Sequence, residues 1–453
     1  MNNSQLSILS KKTYSFHILD SLEVEINVLD NPYNLPVEEL FTMAARINKK
    51  RSFLFVSNVL GKHLPIHPGK GLLTAALLAA RFIESVKGLP CNEKELLLTS
   101  FLHETAMRVP PFVTADIHPV VIGFAETATA LGHAFFACFQ NADYFHTTRE
   151  ELIGRTPKIS FEEEHSHATS HRCYIPLELI DNEREIILVD DEMTTGKTAL
   201  NIIRSIHRKF PRNQYTVVSI LDWRSTEHRR QFAEVEKELA VNIHVVSLLS
   251  GSVRIAKQQD ISNVEEVKGE TRAEMVIETV DISPFFTPTP FYSVGSSIPY
   301  IVETGRFGLS SEENLCLFEK AAQAAAVLEE KRQGERTLCL GTGEFMYLPM
   351  KIAADMGDGV FYQSTTRSPI YIKDSEGYGA RYGLSFPNPE DPAVQHFVYN
   401  IPPGYYDELF LFFEREVELK NLEPFLEEMK KTTIPMVKLV FFAKNRGEHH
   451  AND

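Results

Sequence analysis

The chain has 453 residues, more than one hydrophobic core usually organises, and its 43% apolar and 24% charged residues are the mix of an ordinary globular protein, so two domains are expected. A net charge of −15, with basic clusters no longer than Lys49-Lys50-Arg51 and Arg229-Arg230, disfavours nucleic acid and anionic membranes as partners. The most apolar stretch, 72–80, is interrupted by Thr74 and ended by Arg81, too short to span a bilayer.

Five scattered cysteines (Cys91, Cys138, Cys173, Cys316, Cys339) form no C-x-x-C pair and follow no secretory leader, which predicts a reducing cytoplasm. Apolar periodicity predicts helices over 37–47 and 71–87, the second carrying Leu73, Leu77, Leu78 and Phe82. Between them 51–57 has strand composition and runs into Gly61-Lys62-His63, where Lys62 either faces the substrate or lies along the surface as a snorkelling side chain. From 119 onward strands alternate with helices. The strands are 120–122, 144–147, 186–189 and 216–221; one helix carries Leu131, Ala134, Phe135 and Cys138, another Ala199, Ile202, Ile203 and Ile206. This alternation predicts an α/β fold with a parallel sheet covered on both faces.

The Ser, Thr and Pro-rich passage 282–290 cannot continue a helix and reads as a domain connection, giving domains of about 20–265 and 290–450. A helix then opens at Ser310, with Glu313 placed for a capping box and Leu315, Phe318, Ala322 and Leu328 at helical spacing, and stops at Gly334. The pattern repeats across this boundary. Gly123-Phe-Ala-Glu126 precedes Thr147-Thr148-Arg149, Gly341-Thr-Gly-Glu344 precedes Thr365-Thr366-Arg367, and 23 residues separate glutamate from arginine in both. The second domain therefore reads as a degenerate relative of the first or as a domain with its own ligand.

The strongest chemical signal is Ile186-Ile-Leu-Val-Asp190-Asp191-Glu192-Met193-Thr194-Thr195-Gly196-Lys197-Thr198. Four aliphatic residues make a central strand, so the aspartates emerge at its carboxyl end, where open α/β sheets bind ligands. The loop that follows turns into a helix. Its amides and hydroxyls, from Thr194, Thr195, Gly196, Lys197 and Thr198, suit a phosphate at a helix N-terminus. Asp190 and Asp191 suit ribose hydroxyls or water on a magnesium ion. The glycine and lysine spacing is not that of a Walker loop.

This run resembles the 5-phosphoribosyl-1-pyrophosphate (PRPP) motif of type I phosphoribosyltransferases, with Glu192 and Lys197 standing where aliphatic and small residues are usual. The resemblance implies a pyrophosphate loop at Gly123 to Ala128, including Glu126 and Thr127 but lacking the usual glycine pair, and a basic flap from Thr148 and Arg149 to about His171. With Thr366-Arg367-Ser368-Pro369 and Gly341-Thr-Gly-Glu344, most of the chain resembles the bacterial phosphoribosyltransferase family of tellurium-resistance and stress-response gene clusters, which has a C-terminal TRSP domain. What this implies is Mg²⁺-assisted transfer of a phosphoribosyl group from PRPP to a small-molecule acceptor, with a homodimer left open. The flap histidines, among them His165 and His167, have either a catalytic or substrate-closing role, a metal-binding role, or none beyond a solvated loop. Gly341, Gly343, Glu344, Thr366, Arg367 and Ser368 would form a second-domain ligand site, with Arg367 offering a fork to a phosphate or carboxylate or else docking the domains through an acidic neighbour. The strand 409–413 leads into Glu414-Arg415-Glu416 with no phosphate loop, so PRPP is not expected there. A PRPP- or nucleotide-binding regulator without turnover, or a hydrolytic or phosphorolytic enzyme, are the rivals.

Overall fold

The computed structural model describes residues 6–10, 12–47, 52–105, 107–162, 170–258 and 274–445. The chain forms a mixed α/β structure around two sheets. In the larger, nine-stranded sheet the five middle strands are parallel, in the spatial order Asn242–Gln258, Gln214–Asp222, Ile186–Met193, Val120–Gly123, Asp143–His146. Ile186 to Val189 are fully buried because both faces of this central strand are covered. Ile187 and Val189 join one core with helices Pro68–Phe82 and Ala128–Phe136, while Ile186 and Leu188 join another with helices Lys197–Lys209 and Thr226–Leu239. That split is the period-two alternation of a strand. Antiparallel strands Leu6–Ser10, Thr13–Ile18 and Leu22–Asp30 extend one edge, and Leu309–Ser310 the other.

The second sheet has five strands, all parallel, in the order Val276–Asp281, Met436–Phe441, Glu408–Phe413, Thr337–Gly341, Val360–Ser364. This is the scheme of the first sheet's middle. In each, the strand ending in the glycine turn lies between the strand ending at Thr-Thr-Arg and the next one along the chain. A hairpin follows Thr-Thr-Arg in both, Ile159–Glu162 with Ser170–Cys173 and Gly383–Asn388 with Asp391–Tyr399. The fifth position differs: in the first sheet it is filled by the last strand of the unit, in the second by Val276–Asp281, which precedes the others. That strand lies ahead of residue 290, where the sequence placed the start of the second domain.

Two local expectations are corrected. The helix over 37–47 is a single turn, Val37–Leu40, after which Phe41–Ala45 pairs antiparallel with Phe53–Ser57. Phe41, Met43, Ala44 and Ala45 are buried in that arrangement, and tertiary pairing outweighs the weak helical preference of the segment. The central strand runs beyond residue 189 to Met193, because Asp190, Glu192 and Met193 keep pairing with Ser219, Leu221 and Asp222 after the neighbour on the other side has ended at Gly123. The helix after Ser310 spans Ser311–Lys331 and carries the expected capping box, with Ser310 N donating to Glu313 Oε2 at 2.7 Å and Glu313 N to Ser310 Oγ at 3.3 Å. Among the described residues no helix is long and apolar enough to cross a membrane.

Candidate functional site

The uneven ends of two neighbouring strands create the first-domain site. Val120–Gly123 stops opposite Val189, so Asp190 and Asp191 stand half-buried on a strand paired on one side only. Asp191 N donates to Asp190 Oδ1 at 2.9 Å, which fixes the first carboxylate against its own backbone. Beyond Met193 the chain turns at Gly196, whose φ of +74° belongs to the left-handed region, and enters the helix Lys197–Lys209. A Cβ on Gly196 would lie 2.5 Å from the buried ring of Phe232. Thr195 Oγ1 accepts from Lys197 N at 3.3 Å, and Thr194, Thr195, Lys197 and Thr198 are half-buried around this helix start. The loop thus sets hydroxyls and the amides of a helix N-terminus one step beyond two carboxylates.

Lys62 reaches this place from a distant segment. Gly61 turns with φ of +66° against the Tyr362 ring, Ser364 N donates to Gly61 O at 2.7 Å, and Ile66 and Tyr362 exchange backbone hydrogen bonds of 2.9 and 2.8 Å. So docked on an edge strand of the second sheet, the loop puts Lys62 Nζ 3.7 Å from Asp191 Oδ2. His63 beside it is buried, and burial holds its pKa well below the usual imidazole value, with Lys62 and Arg46 pushing the same way.

The glycine turns and Thr-Thr-Arg segments are built alike in both domains. Ala125 N donates to Thr147 Oγ1 at 2.9 Å, and Thr147 Oγ1 lies 2.8 Å from His171 Nδ1. In the second domain Gly343 N donates to Thr365 Oγ1 at 3.0 Å, and Thr365 Oγ1 lies 2.9 Å from His396 Nδ1. The turn glutamates, however, leave their own domains. Glu344 accepts from Thr148 Oγ1 at 2.6 Å and from Arg149 N at 2.7 Å, while Glu126 Oε1 lies 3.4 Å from Arg367 Nε. Glu126, expected at a pyrophosphate loop, therefore faces the second domain, and Arg367 both pairs with it and lines a cleft. Thr127 and Ala128 are buried at the start of the helix Ala128–Phe136. His165 and His167 lie outside the described residues.

The cleft is a cavity of about 1140 Å³ beyond the carboxyl ends of the second sheet. Gly343, Glu344, Arg367 and His396 line it together with Arg149 and Arg172 of the first domain. Arg306 and Arg415 stand over the ring of Tyr300, at 4.4 and 4.2 Å from its centre. Arg306 Nη1 binds Glu414 at 2.8 and 3.0 Å, and Arg415 Nη2 bonds Glu150 at 3.0 Å and Glu390 at 3.2 Å. Burial pushes the Glu150 carboxyl up, but Arg415 and Arg306 outweigh it and hold its pKa at about 2. Burial, with Glu150 and Glu414 adding to it, raises Glu390 to about 7 against the pull of Arg415. Thr366 is buried, and its Oγ1 accepts from Ser368 N at 3.2 Å. Tyr300, Arg306, Glu390 and His396 carried no signal in the sequence: they share no spacing and converge only through long-range folding. Among the described residues no group of three or more histidines, cysteines and carboxylates is arranged to hold a metal ion.

Residues 40–252 match the family model described as phosphoribosyl transferase, and residues 303–429 match that of the TRSP domain found C-terminal to it. A search of curated proteins found no match. Among solved structures, the chain is similar to adenine phosphoribosyl transferase from Trypanosoma brucei, in complex with AMP, pyrophosphate and ribose-5-phosphate, at 12% identity and a TM-score of 0.30, covering 59% of this chain and 93% of that one. Adenine phosphoribosyltransferase from Saccharomyces cerevisiae matches at 12% identity and a TM-score of 0.26, over 47% and 96% of the two chains. Glutamine PRPP amidotransferase from B. subtilis matches at 11% identity and a TM-score of 0.23, over 52% and 57%.

Proposed function

Since the chain is a phosphoribosyltransferase whose transferase domain is followed by a TRSP domain, we propose that it moves the 5-phosphoribosyl group of PRPP to a small-molecule acceptor, releasing pyrophosphate. The observation that carries this is the placement of Asp190, Asp191 and the Thr194 to Thr198 loop at one open strand end. The acceptor's lone pair forms the new bond to the ribose anomeric carbon as the bond to pyrophosphate breaks. Pyrophosphate leaves with that electron pair, and the acceptor's proton passes to solvent or a base. The transition state has oxocarbenium character, so the protein's task is to hold both ends of PRPP rigid and to exclude water.

In this reading Thr194, Thr195, Gly196, Lys197 and Thr198 hold the 5-phosphate at the helix N-terminus. Asp190 and Asp191 accept from the ribose hydroxyls, and Lys62 faces the leaving group. Two adjacent half-buried carboxylates also fit Mg²⁺ held through water, and its charge would ease the departure of pyrophosphate. Thr148 and Arg149 act at the boundary with the second domain, whose cleft, with Gly343, Glu344 and Arg367, is read as a second ligand site. We read the reaction as a step in synthesis of a nucleotide-like metabolite linked to tellurium resistance and stress response, a reading that the resemblance of the sequence supports. Magnesium-dependent PRPP binding that needs the acidic pair, followed by pyrophosphate release with an acceptor, tests the proposal.

A further inference from the structure

The second cleft keeps the frame of the first site and puts carboxylates where the first has its threonine-glycine loop. Strand register aligns the two. Val189 lies opposite Gly123, and the pairing of Leu411 with Leu340 brings Phe412 opposite Gly341. Asp190 and Asp191 thus correspond to Phe413 and Glu414, and Glu414 is already held by Arg306. The helix start that opens at Gly196 in the first domain has its counterpart at Glu418, the residue before the helix Leu419–Met429. Where the first domain offers Thr194, Thr195 and Gly196, the second offers Glu416, Val417 and Glu418. Two carboxylates at a helix N-terminus occupy the favourable anion position themselves and repel a phosphate. Across the whole lining, five arginines face eight carboxylates.

An independent feature marks the cleft as a binding place. His396 is 1% exposed, lines the cavity, and its Nε2 has no hydrogen-bond partner among the described residues. Thr365 Oγ1 accepts from Gly343 N and lies 2.9 Å from His396 Nδ1, so its hydroxyl can donate to that nitrogen in the tautomer that carries the ring proton on Nε2, the one a ligand acceptor selects. Burial lowers the pKa of this imidazole, with Arg367 adding to it and Glu126 and Asp391 opposing, which favours the neutral ring. Arg367 and Glu416 follow strands two places apart in the sheet, whose axes are separated by roughly 10 Å. Among the described residues the Glu416 carboxylate takes one long bond, from Asn445 N at 3.4 Å, and Glu418 pairs with exposed Lys420, a contact a ligand can replace at little cost.

We propose that the second-domain cleft binds a polar organic amine, with its ammonium at Glu416 and Glu418 and a hydroxyl, carbonyl or carboxylate at His396 and Arg367, and that it does not bind PRPP or a nucleotide phosphate. The inference rests on the reading of this cleft as a ligand site and is independent of PRPP chemistry in the first domain. Calorimetric titration of the full chain with glucosamine and 4-aminobutyrate as amine probes, and with ribose 5-phosphate and AMP as anionic ones, tests it. At least one amine is expected to bind at millimolar concentration or tighter. Glu416→Gln/Glu418→Gln, at half-buried and exposed positions that the fold does not depend on, should weaken that binding about tenfold or more. Asp190→Asn/Asp191→Asn should leave it unchanged. Failure of both amines to bind, equal amine affinity in the Glu416→Gln/Glu418→Gln protein, or a change in ribose 5-phosphate or AMP affinity in that protein would overturn the proposal. Loss of magnesium-dependent PRPP binding in the wild type would refute the first-domain reading alone.

Discussion

Gly196→Ala probes the phosphate loop through two separable costs. A non-glycine residue at φ of +74° costs about 1–2 kcal/mol in backbone conformation. The new methyl would also stand 2.5 and 2.6 Å from Phe232 Cε2 and Cζ, closer than carbon atoms approach. Phe232 cannot yield freely: it is buried, and the Arg224 guanidinium lies 4.1 Å from its ring centre while binding Asp222 at 3.0 Å. Overpacking of this kind adds about 1–3 kcal/mol, for a total of about 2–5 kcal/mol. Gly154→Ala is the control, since Gly154 has φ of +66° with nothing within 4 Å of an added Cβ and should show the backbone cost alone. Urea denaturation of both variants gives the difference, and Phe232→Leu in the Gly196→Ala background should recover part of it. Because the loop moves to relieve the clash, PRPP affinity should fall in Gly196→Ala and not in Gly154→Ala. Equal destabilisation by the two substitutions would refute the packing of Gly196 against Phe232, and full PRPP affinity in Gly196→Ala would remove the loop from the phosphate site.

Arg306→Met should cost about 3–5 kcal/mol in thermal or chemical denaturation, because it leaves the buried Glu414 carboxylate without its guanidinium; a loss below about 1 kcal/mol would contradict the pairing. Glu390, raised to about 7, keeps its proton in the folded state below that pH, so its contribution to stability is fully present below the ordinary glutamate range and is lost progressively as pH rises to about 7. Glu390→Gln should flatten the fall in stability between the ordinary glutamate pKa of 4.5 and about 7, and an unchanged slope across that window would show that the carboxyl does not titrate there. Glu150, held at about 2, has the opposite sign: its contribution is present above the ordinary glutamate range and is lost as pH falls towards about 2, a loss that Glu150→Gln should remove from an acid titration.

The legible parts of the molecule were those written in contiguous residues. The aliphatic run from Ile186 to Val189, the acidic pair and the threonine-glycine loop lie within thirteen residues, and one strand, turn and helix place them together. The equal spacing of Glu126 to Arg149 and Glu344 to Arg367 likewise reflects a strand order common to both sheets. Segment 37–47 misled because its helix-compatible residues are claimed by the strand Phe53–Ser57, a partner that local pattern does not reveal. The crossing of Glu344 to Thr148, and of Glu126 to Arg367, depends on how two sheets approach one another and leaves no periodicity in the chain. The same holds for Arg306, which lies just beyond a passage read as a connection yet is buried under Tyr300 and Glu414.

The central claim is that Asp190, Asp191 and the loop to Thr198 bind PRPP. Calorimetric titration of the full chain with PRPP and Mg²⁺, repeated on Asp190→Asn/Asp191→Asn, tests it most directly. Asparagine keeps the size of each side chain and removes the charge that strengthens hydrogen bonds from ribose hydroxyls and metal-bound water, so affinity should fall by about tenfold or more for each charge-assisted bond lost. The account predicts magnesium-dependent binding in the wild type and its collapse in the double variant; unchanged magnesium-dependent binding in that variant would contradict it.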